Sequence, residues 1–361
     1  MNRIFCVKHF LSNQQERAIV MKVRKLCLSI GIAFSLAACD FIQTGQEQDV
    51  SQIPPASIGA VVSSIDSNPF FQGMYKSFQE VDSENSQLKI QLEASKDDQK
   101  LQDSQIEAML NSGAKALVVN LADASVGNQF AEKMCARQIP VVYINRSPSA
   151  KVLQNCNIAY FVGSDDNQAG ILQAQLVLEN WNEHPEWDKN SDGKMQIAVL
   201  EGNPAISSSK IRSSWAVSSL KFAPEIGVGS DGVDIVFMET GRYNQQVANE
   251  VVNKWSESPD FNKIEVILAG NDNMALGAAD ALDSKGKKIP IFGIDGVPKA
   301  QDAVKQGRVY ATIINDYDEQ VRVAVRIAAN LANSRPANEG IFYDMDEKGA
   351  ISVQLKRIEG L

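Results

Sequence analysis

Between residues 58 and 314 short apolar runs alternate with stretches of helical periodicity, and that order leaves few folds open. Apolar runs at 58–62, 88–92, 116–120, 141–144, 159–162, 197–200, 233–237, 266–269, 291–294 and 309–314 are short, and most lack the polar alternation of a half-exposed strand. They fit strands of a parallel sheet buried on both faces. Helical spacing fills most of the intervals, as in 99–110, with Leu101, Ile106, Met109 and Leu110, and in 321–331, with Val323, Val325, Ile327 and Leu331. Ten strands exceed one ordinary open sheet, so an α/β chain with two Rossmann-like lobes is expected. At 361 residues the chain is also too long for one compact domain.

In open parallel sheets ligands bind beyond the carboxyl ends of the strands. Those ends carry Ser63-Ser64 followed by Asn68, Phe70 and Phe71; Asn145-Arg146; Gly202-Asn203; Asn271-Asp272; Asp295; and Asn315-Asp316. Amides, carboxylates and guanidinium groups that each make two hydrogen bonds suit vicinal sugar hydroxyls, and aromatic rings suit the C–H faces of a sugar. Strand-capping or core roles would account for the same residues without a ligand. No catalytic set accompanies them: beyond the amino-terminal signal the only histidine is His184, and there is no Gly-x-Ser-x-Gly elbow or phosphate-binding glycine loop. A pair of aspartates could serve glycoside hydrolysis. The surrounding amides favour binding over turnover, so the chain reads as a binding protein and not an enzyme.

A second pattern stands at 188–196. Asp188, Asn190, Asp192 and Gln196 place side-chain oxygens at the first, third, fifth and ninth positions of an EF-hand-type loop. Gly193 is sixth, where the backbone turns sharply, and Lys194 is seventh, where only a carbonyl is needed. The twelfth position, which ought to be a bidentate Glu, is Val199, inside an apolar strand pattern. A carboxylate from elsewhere would have to complete a calcium site. A polar surface turn is the plainer alternative, but four donors at alternating positions favour calcium.

The amino terminus carries a processing signal. A basic stretch at 21–25 precedes an apolar stretch at 26–38, which ends in Leu36-Ala-Ala-Cys39. Small residues before a cysteine resemble a bacterial lipoprotein signal, with Cys39 as the lipidated first residue and Met21 as the start. A bare secretory signal is the alternative, and the stretch is short for a membrane span. Residues 39–57 are polar, include Pro54-Pro55, and are expected to form a tether. The first 38 residues hold six Lys+Arg and one Glu, which leaves 29 basic and 43 acidic side chains and a formal charge of −14, so nucleic acid is excluded as a partner. Cys135 and Cys156 remain in the processed chain. An export compartment permits their pairing, but two buried free thiols are the preferred expectation.

Trp187-Asp-Lys-Asn-Ser-Asp-Gly193, Lys263-Ile-Glu265, Asn271-Asp-Asn-Met-Ala275, Phe292-Gly-Ile-Asp-Gly296 and Asn315-Asp316 together resemble the bacterial periplasmic galactose/glucose-binding proteins of sugar ABC transporters. The resemblance runs from Ile58 to the carboxyl end. It implies a type I periplasmic binding protein, two lobes joined by a three-stranded hinge and closing on a sugar. The first lobe would comprise 58–164 plus 316–349, and the second 165–315 plus 350–361. By the same resemblance Glu265 supplies the missing calcium ligand, so the metal set is Asp188, Asn190, Asp192, Lys194, Gln196 and Glu265, with structural Ca2+. Sugar contacts would come from Asn68, Phe70 or Phe71, Asn145, Arg146, Arg212, Tyr243, Asn271, Asp295 and Asn315, with Tyr243 where the family stacks a Trp. The implied partners are a monosaccharide, an ABC permease and, as in related proteins, a chemoreceptor, with the protein a monomer on a lipid anchor.

The chain departs from that pattern. Ile206 and Ser208 stand where a His and an Asp are expected, and Ser67 and Asn68 where an Asp would bind the 4-hydroxyl. The Asn68-Pro-Phe-Phe71 run instead resembles ribose-binding relatives. Galactose or glucose remains the first expectation, and ribose or another monosaccharide the second. A sugar-responsive repressor shares the two-lobe fold but needs a basic helix-turn-helix where this chain has a signal. A receptor that signals without transport also stays open.

Overall fold

The computed structural model describes residues 48–66, 68–204, 206–223 and 232–360. The signal region with Cys39, tether residues 40–47 and Ser67 lie outside the described residues.

Twelve strands form two six-stranded sheets among the described residues. The first sheet has the order β11(Ala350–Ser352), β5(Ala159–Gly163), β4(Val141–Ile144), β3(Ala116–Val119), β1(Ala56–Val62), β2(Leu88–Ala94). The second runs β12(Lys356–Glu359), β10(Ala311–Ile314), β9(Ile291–Asp295), β8(Val266–Ala269), β6(Met195–Glu201), β7(Val233–Thr240). All neighbours pair in parallel except β12, which runs antiparallel to β10. Helices of the first lobe are α1(Pro69–Glu84), α2(Gln99–Asn111), α3(Gly127–Ala136), α4(Ala150–Asn155) and α10(Tyr317–Ala332). Those of the second are α5(Asp166–Glu183), α6(Ser207–Lys221), α7(Gln245–Trp255), α8(Asp272–Asp283) and α9(Pro298–Lys305).

Strand alternation explains why both faces of each sheet are dry. Successive side chains of a strand point to opposite faces. In β1, Ile58, Ala60 and Val62 enter one core with α1 and α10, while Val61 enters another with Ile106, Met109 and Met134. In β6, Ala198 and Leu200 pack on the side of Trp255 and Met274, and Ile197 and Val199 on the side of Leu176 and Leu220.

The chain crosses between sheets after β5, after β10 and between β11 and β12. The third crossing therefore falls at 353–355, later than expected, because Ala350–Ser352 pairs in parallel with Phe161, Val162 and Gly163 of β5. One amide links the crossings. Gln320 Nε2 donates to Asn315 Oδ1 (2.6 Å) and to Ser164 Oγ (3.3 Å), and Ser164 Oγ donates to the carbonyl of Val353 (3.1 Å).

Two expectations change. The inner end of the expected tether is part of the first lobe: Val50 and Ile53 are buried, and Asn85 donates to both of their carbonyls. The backbone N–H of Gln48 bonds the carboxylate of Glu319 on α10, and Arg326 of the same helix donates to the carbonyl of Gln52. A polar composition hid this because the two apolar residues are spaced to reach one groove between α1 and α10. The cysteines are not free thiols either. Cys135 on α3 and Cys156 at the end of α4 form a disulfide, with Cα atoms 6.0 Å apart, because both helices return to the same edge of the core beneath Tyr143.

Candidate functional site

The two lobes present different chemistry at the carboxyl ends of their strands. In the second lobe the centre is Arg212 on α6, whose side chain is 8% exposed. Gly170 on α5 explains how it arrives there. A Cβ at this glycine would lie 2.4 Å from the Arg212 carbonyl and 2.9 Å from the Ala216 nitrogen, so only glycine lets α5 and α6 approach this closely. The approach brings Arg212 Nε to Asp166 Oδ1, in the first turn of α5, at 2.7 Å. One terminal nitrogen, Nη1, donates to Asp295 Oδ1 at 3.1 Å and to the carbonyl of Gly270 at 3.3 Å. Burial opposes the charge on Arg212, but Asp166 and Asp295 outweigh it and raise its pKa further.

Asp295 ends β9 at φ 121°, a left-handed conformation that costs about 1–3 kcal/mol outside glycine and concentrates at functional sites. Burial pushes its carboxyl above the ordinary range, against the opposing pull of Arg212 and of a hydrogen bond from Asn315. Asn315 is in turn oriented by Gln320. Asn271 caps α8, its Oδ1 accepting the N–H of Met274 at 3.1 Å, which fixes the amide at the cleft end of β8. Beneath it Asp272 is a scaffold group: Thr312 and the N–H of Val297 donate to its two oxygens, and burial lifts its pKa well above the usual value.

Tyr243 sits at φ 59°, its ring over Gly202, where a Cβ would fall 2.1 Å from the ring. Its hydroxyl is 3.3 Å from Ser208 Oγ. The serine found where the resemblance led one to expect an Asp thus orients the aromatic wall, while Ile206 only precedes α6 and offers no side-chain cap.

In the first lobe Asn68 caps α1, accepting the N–H of Phe70 at 3.0 Å. Phe70 and Phe71 meet edge to face at 5.5 Å, and Phe70 packs the same way on Tyr317. Phe70 is therefore a core residue. Phe71 carries Arg146 over its ring, with the guanidinium carbon 5.1 Å from the centroid. Arg146 also donates to the carbonyls of Leu121 and Ala122, at 2.8 and 3.1 Å. Its nearest carboxylate is that of Asp97 at 3.7 Å, and burial lowers its pKa against that charge. Asn145, at φ 63°, turns the chain so that Arg146 follows β4 into the cleft.

Sequence reasoning missed Asp166. Strand ends were the guide to site residues, and the end of β5 leads through Ser164 and Asp165 into the other lobe before reaching it. The doubled aspartate after an apolar strand was the available signal.

The expected calcium residues also gather, on the outer side of the second lobe. Asp188 accepts the N–H groups of Asp192 and Gly193, at 3.2 and 3.0 Å, and Asp192 accepts that of Lys194 at 2.8 Å. Gly193 turns at φ 73°. Glu265 reaches this loop from 69 residues beyond Gln196, its two oxygens accepting the N–H groups of Lys189 and Gln196 at 2.7 and 2.9 Å. Burial raises its pKa. The Lys194 amine points instead toward Asp234, 3.8 Å away on β7, which leaves only its carbonyl for the loop. Gln196 Oε1 is buried without a partner. The carboxylate, amide and carbonyl oxygens of the loop are the donor type a calcium ion takes, but the Gln196 amide turns its Nε2 to Asp192 at 3.2 Å and would have to present its Oε1 instead. Among the described residues no three His, Cys, Asp or Glu side chains converge on a metal position.

His184 belongs to neither site. It stacks on Trp187 at 4.7 Å and bonds Tyr310 and Glu186.

Two doubly wound lobes, three crossings and facing polar and aromatic half-sites define a two-lobe binding protein. Residues 58–336 match the periplasmic binding protein domain family, and the chain belongs to it. It is 32% identical over 291 residues to the D-galactose/methyl-galactoside binding periplasmic protein MglB of Haemophilus influenzae, across 81% of this chain and 86% of that protein. It is 26% identical over 286 residues to the ribose import binding protein RbsB of Bacillus subtilis, across 79% and 84%. Its fold is similar to a solved ABC transporter periplasmic solute binding protein from Actinobacillus succinogenes with bound D-allose, with a TM-score of 0.69 and 22% identity over 84% of this chain and 97% of that one. Among the described residues no helix is long and apolar enough to cross a membrane.

Proposed function

We propose that this protein is the substrate-binding component of an ABC importer and encloses a neutral monosaccharide, galactose or glucose first, between its two lobes. The observation that carries this reading is the fixed Arg212. Its Nε and Nη1 are engaged by Asp166, Asp295 and Gly270, which leaves Nη2 to donate to a ligand beside the amides of Asn271 and Asn315. Tyr243 and Phe71 supply apolar walls. Each guanidinium already has carboxylate partners, Asp166 and Asp295 for Arg212 and Asp97 for Arg146, so neither is left as an unpaired cation, which suits an uncharged polyol. Closure follows from contacts that the sugar makes with both lobes at once.

Ribose is the second reading, favoured by the Asn68 cap and the Phe70–Phe71 pair. Calorimetric titration in calcium-containing buffer against glucose, galactose and ribose separates them. Hexose binding at micromolar or better affinity supports the first choice, a ribose signal alone the second, and silence for all three removes the reading.

A structural calcium ion at the 188–196 loop, completed by Glu265, belongs to the same proposal. The ion would supply positive charge to the Asp188, Asp192 and Glu265 oxygens and take the orphaned Gln196 Oε1. Chelation should lower the melting temperature more than it weakens sugar binding, since the loop lies away from the cleft. An unchanged melting temperature after verified metal removal would refute this. A periplasmic location, with Cys39 lipidated and a permease or chemoreceptor reading the closed form, completes the proposal. Incorporation of labelled palmitate, lost in Cys39→Ala, tests the anchor.

A further inference from the structure

We infer that Asp166 is a positioning and specificity residue of the sugar site, holding Arg212 in register and tuning the cleft to neutral rather than acidic sugars. The inference rests on the monosaccharide reading above. It begins from the fact that α5 does not need Asp166 as a cap. Asp165 already fills that role, its Oδ1 accepting the N–H groups of Asn167 and Gln168 at 2.8 and 3.4 Å. What Asp166 does instead is accept from Arg212 Nε at 2.7 Å, the shortest of the three bonds that the guanidinium makes.

The geometry then fixes what is left for a ligand. A guanidinium has five N–H donors in one plane. Asp166 takes the Nε proton, while Asp295 and the Gly270 carbonyl take those on Nη1. The plane cannot turn without breaking at least one of these bonds, so Nη2 is held toward a single direction. Without Asp166 the group would pivot about the Asp295 contact. The close packing at Gly170 places the two helices so that this bond forms without rearrangement.

Charge gives the second part. The Asp166 side chain is 29% exposed, so it is wetter than Arg212 or Asp295, and its charge registers on both Tyr243 and Asp295. Arg212 lies between Asp166 and Asp295, while Arg146 has Asp97 at 3.7 Å. Neutralising Asp166 removes one negative charge from beside Arg212, the change under which a carboxylated sugar becomes a better ligand. Asp166 thus excludes by repulsion as well as by positioning. It stands in a cleft where the acidic residue expected by resemblance is replaced by Ser208, so the carboxylate that faces the arginine reaches it from the neighbouring helix.

The test is calorimetric titration of the full mature chain and of Asp166→Asn and Asp166→Ser against D-galactose, D-glucose, D-ribose, D-galacturonate and D-glucuronate, with thermal melts to verify folding. Asp166→Asn keeps the shape and an acceptor, and Asp166→Ser removes both the charge and the reach. Both variants should bind the preferred neutral sugar about tenfold more weakly, and in both the ratio of neutral to acidic sugar affinity should fall by more than that. A variant that melts lower but keeps the wild-type ratio would reduce Asp166 to a structural role and overturn the inference. If wild type binds a neutral sugar and neither variant changes affinity or ratio, this inference fails and the sugar reading stands. If wild type binds none of the neutral sugars, both fail together.

Discussion

The half-site in the second lobe is wired and the half-site in the first lobe is draped. Arg212 is gripped by two carboxylates and a carbonyl, and Asn315 and Asn271 are each held by a partner before any ligand enters. Arg146, by contrast, rests on the Phe71 ring and two backbone carbonyls, with its nearest carboxylate among the described residues 3.7 Å away and half exposed. The difference suggests a division of work. In the proposed complex the wired side would fix the orientation of the sugar, and the draped side would add an apolar cover and one cation.

The largest effect should come from breaking the wired side. Arg212→Ala leaves Asp295 buried without its cation, which should destabilise the fold by about 3–5 kcal/mol and weaken sugar binding more than a hundredfold. The matched change Arg146→Ala should lower affinity about tenfold and cost less stability than Arg212→Ala, since it frees two backbone carbonyls but strands no buried charge. Equal effects of the two in titration and chemical denaturation would erase the contrast. Next comes a change outside the cleft. The Cys135–Cys156 bond closes a loop with a sequence separation of 21, so replacing both by Ser should cost about 3 kcal/mol in denaturation while sugar affinity holds. A loss of affinity there would mean that the first lobe is less independent of its outer helices than the packing implies. The smallest effect sharpens the role of the aromatic wall. Tyr243→Phe removes only the hydroxyl contact with Ser208 and should change affinity by about 1 kcal/mol or less.

Much of this was legible in the chain because the signals were local. Strands buried on both faces read as unbroken apolar runs and the edge strands β2 and β7 as partly apolar ones, and ten of the twelve were read in this way. The two that were not, β11 and β12, are three and four residues long and carry Ser352 or the charged Lys356, Arg357 and Glu359, too little apolar surface to stand out. For the same reason the third crossing was placed early. The proposed site residues drew attention by their place at strand ends: Asn145 and Asn315 directly follow a strand, Asp295 ends one, and Asn271 stands one residue further on. Asp166 did not, because its partner lies 46 residues away and meets it only through the helix contact at Gly170. The disulfide and the docked 48–53 segment likewise depend on which surfaces face each other across the fold.

Gln320 has a mechanical meaning. Three backbone connections could each absorb dihedral changes separately, which would leave the lobes free to twist and slide as well as to open. Because one buried amide holds Asn315 and Ser164, and Ser164 holds Val353, the three connections must turn in concert. Opening is thereby reduced toward a single coordinate. Asn315 is also one of the proposed sugar contacts, so the group that ties the crossings together also holds an amide proposed to meet the sugar.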